Sequence, residues 1–201
     1  MSQTSPTLGT PRALSLEDWG NLSEDEPGEL VNGRLVEEEV PDNEHEVVVG
    51  FLVTLLTLWT IPRGGFVFGS EAKFAVQANR GRKPDLAVYL PGGHRPPRRG
   101  INRVAPDIAV EVISASPRDM RRDRIEKADE YASFGVRWYW LVDPRARSFE
   151  VWELEAHGRY ARATAASEGR LDAVPGCPEL VVDLDALWAQ LDRLGDEDEG
   201  R

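Results

Sequence analysis

The sequence predicts one α/β domain with a mixed β-sheet flanked by helices, and three observations carry that expectation. Short apolar runs alternate with two amphipathic helical patterns, the order expected of layered sheets and helices. The chain of 201 residues is long enough for one domain with a real core. Residues that alternate with period two inside the apolar runs place single acids where a packed sheet would not choose them.

The elements follow in order. Residues 1–12 are rich in Ser, Thr and Pro and read as a disordered tail, leaving 13–192 as the domain and 193–201 as an acidic tail. Leu14 to Leu22 predicts a short helix capped by Ser15. Glu29 to Val36 reads as a β-hairpin, because Asn32-Gly33 supplies the positive φ angles of a type I′ turn. Pro41 and Asp42 end that unit. A long helix then starts near Asn43, with His45, Val48, Val49, Leu52, Leu56 and Trp59 as its buried stripe. Pro62 and Gly64-Gly65 close it. Phe66–Phe68 and Ala72–Val76 read as strands, and Asn79-Arg80-Gly81 as a turn into Lys83-Pro84-Asp85.

Two further strands carry the interest. Leu86, Val88 and Leu90 share one face, leaving Asp85, Ala87 and Tyr89 on the other. Ile108, Val110 and Val112 share a face, leaving Asp107, Ala109, Glu111 and Ile113 opposite. Between them lies PGGHRPPRRGINR, too rich in Pro and Gly for regular structure, with His94, Arg95, Arg98, Arg99 and Arg103. A helix capped by Ser116, with Pro117 and Asp119 in its first turn, follows. Ile125, Ala128, Tyr131 and Ala132 form its apolar stripe, and Gly135 ends it. Trp138–Val142 is a third apolar strand, Ser148–Leu154 its hairpin partner, and Val181–Leu191 a short last helix.

Composition narrows the function classes. The single cysteine, Cys177, excludes an internal disulfide framework and a cysteine-rich zinc site, and fits a reducing compartment. The N-terminus has no apolar core behind basic residues, so no secretory signal is visible. The longest uncharged apolar run, Val47 to Ile61, is short for a bilayer and reads as a buried helix. The expectation is a cytoplasmic protein with no membrane span. The net charge of −11 disfavours nucleic acid until it is mapped along the chain. Residues 47–147 hold 17 bases and 10 acids, a local +7 that suits phosphate contacts, although the same arginines would also solvate a loop and a helix.

If the strands of Asp85 and Glu111 are neighbours, the two carboxylates lie side by side, each next to an alanine. Close carboxylates repel unless a proton or cation sits between them. Asp85 alone is explained by turn chemistry after a proline. Glu111, inside an apolar strand, requires compensation, by function or by a buried ion pair. Lys127 is one of three lysines against 21 arginines. It pairs with Asp123 at helical spacing if it is only a surface residue. Oxygen ligands suit Mg²⁺, with Mn²⁺ as a substitute, and a lysine beside it would orient the attacking water. Glu46 lies beside the long helix's buried stripe, as a solvated acid or as a further carboxylate. His45 reads as a core histidine, and His157 carries no signal.

Taken together, ELVNGRLVEEE, RKPDLAVYL, APDIAVEVISAS, EKADEYASFGVRWYWLVDP and VPGCPELVVDLDALW resemble the PD-(D/E)xK nuclease superfamily, and within it the Uma-type restriction endonuclease family. The resemblance runs from Glu29 to Trp188. It implies a restriction-endonuclease-like core, DNA as substrate, and Mg²⁺ held by Asp85, Glu111 and the backbone carbonyl of Val112. Glu46 matches approximately the helix acid that many members contribute. The superfamily lysine two residues after the second acid is here Ile113, and Lys127 on the next helix matches the Uma-type placement. Related folds often work as dimers, since cutting both strands takes two sites, so the resemblance implies a homodimer as one expected state. The rival expectation is a catalytically weak or inactive nucleic-acid-binding or regulatory module on this fold. A third is an oligomerisation domain in which Glu111 and Lys127 form only a buried pair.

Overall fold

A computed structural model describes residues 13–23, 28–37, 40–114 and 121–195. The expected N-terminal tail, the helix cap at Ser116, Pro117 and Asp119, and the acidic tail from residue 196 lie outside the described residues. Helix α1 (Leu16–Gly20) begins with a capping box in which Ser15 Oγ accepts from the Asp18 N–H and the Asp18 carboxylate accepts from the Ser15 N–H. Strands β1 (Glu29–Val31) and β2 (Arg34–Val36) form the expected hairpin, with φ of 52° at Asn32 and 75° at Gly33. Helix α2 (Asn43–Thr60) is capped by the Asp42 carboxylate and ends in a 3₁₀ turn, Ile61–Arg63, before Gly64. There follow β3 (Phe66–Phe68), β4 (Phe74–Gln77), β5 (Arg80–Arg82), β6 (Leu86–Tyr89) and β7 (Ile108–Val112).

A π-helical segment, Arg122–Lys127, runs into α3 (Ala128–Phe134), which Gly135 terminates in the left-handed conformation. Strands β8 (Trp138–Asp143), β9 (Ser148–Leu154) and β10 (Tyr160–Ala166) then form a meander. The short β11 (Arg170–Leu171) and β12 (Val182–Asp183) precede α4 (Leu184–Leu191).

Among the described residues the central sheet has six strands in the order β10-β9-β8-β7-β6-β3, and only β7 and β8 are parallel. The mixed sheet flanked by helices is therefore as the sequence predicts. Its period-two reading holds on both faces. Leu86, Val88, Ile108, Val110 and Val112 pack with α2 and α4, while Ala87, Tyr89, Ala109 and Ile113 pack with Tyr131, Tyr139 and Phe74 on the other side.

Several expectations are corrected. Beside the central sheet the chain forms a second one, β2-β1-β5-β4, and β11 pairs with β12 apart from both. Arg80-Gly81 is part of a strand and not a turn: Gly81 pairs with Leu30 and Ala75, and a Cβ there would fall 2.2 Å from the Trp19 ring. Only glycine lets that ring close over the strand. Ile125 is 55% exposed, because the buried side of its segment is formed by Asp123 and Lys127 instead. The last helix begins at Leu184, its expected start being taken by the pairing of Val182 and Asp183 with β11. The segment Asn43–Arg63 is longer than its uncharged run and reaches, by length and composition alone, what a bilayer requires. One face of it is nevertheless core, since Val48, Leu52 and Leu56 are fully buried against the sheet.

Candidate active site

The β6–β7 pairing sets the first part of the site. Leu86 lies opposite Val110 and Ala87 opposite Ala109, so the antiparallel register carries Asp85 across from Glu111. Asp85 stands one residue before β6. Its carboxylate takes the place of a backbone acceptor and receives the Val112 N–H at 2.7 Å. His45, in the first turn of α2, approaches the same carboxylate oxygen with Nε2 at 3.3 Å, while its Nδ1 lies 3.6 Å from Glu46. Burial pulls the His45 pKa down. The hydrogen bond and charge of Asp85, with Glu46 and Asp42 nearby, outweigh it and leave the value raised.

The second part comes from the π-helical segment. Lys127 is buried, and its Nζ lies 2.8 Å from Glu111, 3.5 Å from Asp123 and 3.6 Å from Glu29. Tyr131 donates its hydroxyl to the other Glu111 oxygen at 2.7 Å. Tyr139 fixes the segment from the sheet side by donating to the Asp123 carbonyl at 2.9 Å. A π turn at a functional position is a recurrent device, because the wider winding re-aims side chains. Here it turns an acid and a lysine inward where an α-helical reading places Ile125.

Beneath these groups lies a buried ion network. Arg82 of β5 bonds both Glu29 of β1 and Glu130 of α3, and Arg80 also meets Glu130. Glu29 further accepts the Lys83 N–H at 2.9 Å. The shared ammonium therefore serves two unequal acids. For Glu29, burial raises the pKa, but Lys127, Arg82 and the Lys83 N–H more than compensate and hold it below the ordinary value. For Glu111, burial dominates and Lys127 only partly offsets it, while Asp85, Asp123 and Glu29 push the same way as burial. Its pKa is well above the usual carboxylate range. Asp123 is raised for similar reasons.

These residues face one cleft of about 340 Å³, lined among others by His45, Glu46, Asp85, Glu111, Val112 and Lys127. All five predicted positions are thus brought together. Glu46 sits at the rim, with its side chain 61% exposed. Among the described residues no three His, Cys, Asp or Glu side chains form a ready-made metal cage. The donor set nonetheless fits a hard divalent ion, which needs as few as one or two carboxylates beside waters. Asp85, Glu111 and the Val112 carbonyl are hard oxygens. Around the cleft the acids Glu46, Glu71, Asp85, Glu111 and Asp123 outnumber the bases Lys83, Arg122 and Lys127, an excess of negative charge that a cation relieves.

The sequence reading missed the supporting residues. Glu29, Arg82 and Glu130 lie on different elements and meet only through tertiary structure. Tyr131 was legible as an apolar stripe residue but not as a hydrogen-bond donor. His45 was legible as buried, but not as the partner of Asp85.

Residues 14–186 match the Uma2 family, whose description is putative restriction endonuclease. Among solved structures, the fold is similar to that of a putative nuclease belonging to DUF820 from Anabaena variabilis, with a TM-score of 0.67 and 17% identity. The alignment covers 89% of this chain and 99% of that one. At that identity the likeness concerns the fold. No curated protein matches.

Proposed function

This chain belongs to the Uma2 family of putative restriction endonucleases, and from that premise we propose that it is a divalent-metal-dependent phosphodiesterase that cleaves DNA. The observation that carries the reading is the meeting of Asp85, Glu111 and Lys127, distant in sequence, in one cleft that also holds more negative than positive charge.

Asp85, Glu111 and the Val112 carbonyl would hold Mg²⁺, or Mn²⁺ in its place. Such an ion polarises a phosphoryl oxygen and lowers the pKa of bound water. The protein's own groups do the rest. The Val112 N–H and His45 fix the Asp85 carboxylate in orientation. Tyr131 and Lys127 hold Glu111 from its two oxygens. The Lys127 ammonium directs the attacking water through a hydrogen bond and offsets charge that builds on the phosphoryl oxygens. Its buried setting strengthens both effects, because water does not screen them. Glu46, at the rim, is placed to accept a hydrogen bond from an incoming group.

A second reading, a nucleic-acid-binding module without catalysis, is favoured by one observation: both Glu111 oxygens are already engaged by protein donors. Nicking of supercoiled plasmid in Mg²⁺ or Mn²⁺ separates the two. The wild type is expected to convert plasmid to the open circle, Asp85→Ala to fall to background, and Lys127→Met to lose about 10²–10³-fold in rate. Equal traces for wild type and Asp85→Ala reject the nuclease.

A further inference from the structure

A second cleft, of about 700 Å³, adjoins the first, and Gly28, Glu71 and Lys83 line both. Its far wall is formed by Arg98, Arg99 and Gly100, from the long loop between β6 and β7. This loop is irregular but anchored. The Leu90 N–H donates to Asp107 at 2.7 Å, closing its base, and Tyr89 donates its hydroxyl to the Val104 carbonyl at 2.7 Å. Asn102 is bonded into the edge of β4, its N–H to the Lys73 carbonyl at 2.8 Å and its carbonyl from the Ala75 N–H at 2.9 Å. Ile101 packs with the small cluster of Leu16, Trp19 and Leu30.

Arg98 and Arg99 are treated differently from the other charged residues of this wall. Both are exposed, and neither has a partner among the described residues. Arg103, four residues on, is tied to Glu17, Lys83 is paired with Glu71 at 2.9 Å, and Lys73 donates to the Trp19 carbonyl at 2.9 Å. Among the described residues, Glu71 is the one carboxylate lining the cleft beside four basic side chains, Lys73, Lys83, Arg98 and Arg99. In a chain of net charge −11 such a wall is a local concentration. Adjacent prolines, Pro96 and Pro97, stiffen the approach to the two arginines, so less freedom is lost when they are engaged.

We propose that this basic cleft is a subsite for the phosphodiester backbone of the strand being cut, with Arg98 and Arg99 as its phosphate contacts on the flank of the scissile position. The assignment rests on the nuclease reading for its location and on the arginine wall for its chemistry. A polyanion fits better than a small anion, because the two clefts adjoin and several basic side chains line one of them. Arginine suits the task through its planar, bidentate donor set. Contacts of this kind carry no sequence information and hold the strand in register.

The test is fluorescence anisotropy with a labelled DNA duplex and wild-type protein in EDTA, where no cleavage occurs, over a series of KCl concentrations. Each lost phosphate contact lowers the slope of log K against log salt by about 1, so Arg98→Ala/Arg99→Ala is expected to lower it by about 2 and to weaken binding at every salt concentration. Arg98→Lys/Arg99→Lys keeps the slope. Arg159→Ala/Arg162→Ala removes equal charge at β10, the edge strand of the large sheet at the other end from β3, and leaves binding unchanged. Absence of duplex binding by the wild type, or an unchanged slope in the Arg98/Arg99 alanine variant, overturns the subsite even if the wild type nicks plasmid. A protein that never nicks but shows the loss of slope defeats the nuclease reading and leaves Arg98 and Arg99 as backbone contacts of a bound strand.

Discussion

Glu111 sits where electrostatics and packing disagree. It is buried, bonded to Lys127 and Tyr131, and surrounded by Asp85, Asp123 and Glu29. If its purpose were structural, replacing it with the neutral isostere would weaken the pair with Lys127 and lower stability. If its charge is kept for a cation, the same change relieves repulsion. Glu111→Gln is therefore expected to stabilise the metal-free protein by about 1 kcal/mol, the usual size of a stability gained at the expense of function. Mn²⁺ should raise the melting temperature of the wild type and leave that of Glu111→Gln unmoved. A lowered melting temperature in EDTA would make Glu111 a structural acid. The two acids were legible in the sequence because an ionised group in an apolar strand is costly. The burial of Lys127 was not, since helical spacing gave it an ordinary partner in Asp123 and the π turn changes the winding.

At the scale of elements, the network around Arg82 joins three of them: β5 carries the guanidinium, β1 brings Glu29 and α3 brings Glu130. This couples the small sheet to the helix that follows Lys127. Removing one partner of a buried ion pair leaves the others charged and unpaired, at a cost of about 3–5 kcal/mol. Arg82→Ala is expected to show that loss in urea unfolding; a loss within the range of an exposed substitution would mean that the carboxylates find water or protons. None of this was legible, because three-residue strands such as β1 and β5 have no periodicity to read, and Arg80-Gly81 carries turn residues. The hairpin at Asn32-Gly33, the two faces of β6 and β7 and the stripe of α2 were legible, since each rests on a local rule that the packing obeys.

For the molecule as a whole, burial of titratable groups sets an alkaline limit. Burial raises the Cys177 thiol from 9.0 to about 12, and burial with the nearby Asp107 charge raises the Tyr89 hydroxyl from 10.0 to about 12. In both, the folded pKa exceeds the unfolded one. Their contribution is whole below the unfolded values and is lost as pH rises through them toward about 12. These two groups should lower the melting temperature as pH rises above the thiol's ordinary value, with a thiol reagent labelling Cys177 only after unfolding. Labelling of the folded protein at neutral pH would contradict the buried placement. The mixed sheet was legible at this scale, but its division from a second sheet was not, because strand order is decided by long-range pairing. The closure of Leu90 onto Asp107 has a consequence for how such a protein diversifies. A segment pinched shut at its base folds back to the same two strand ends whatever lies between them. Residues inserted there would leave Asp85 and Glu111, on either side of the loop, in the same alignment.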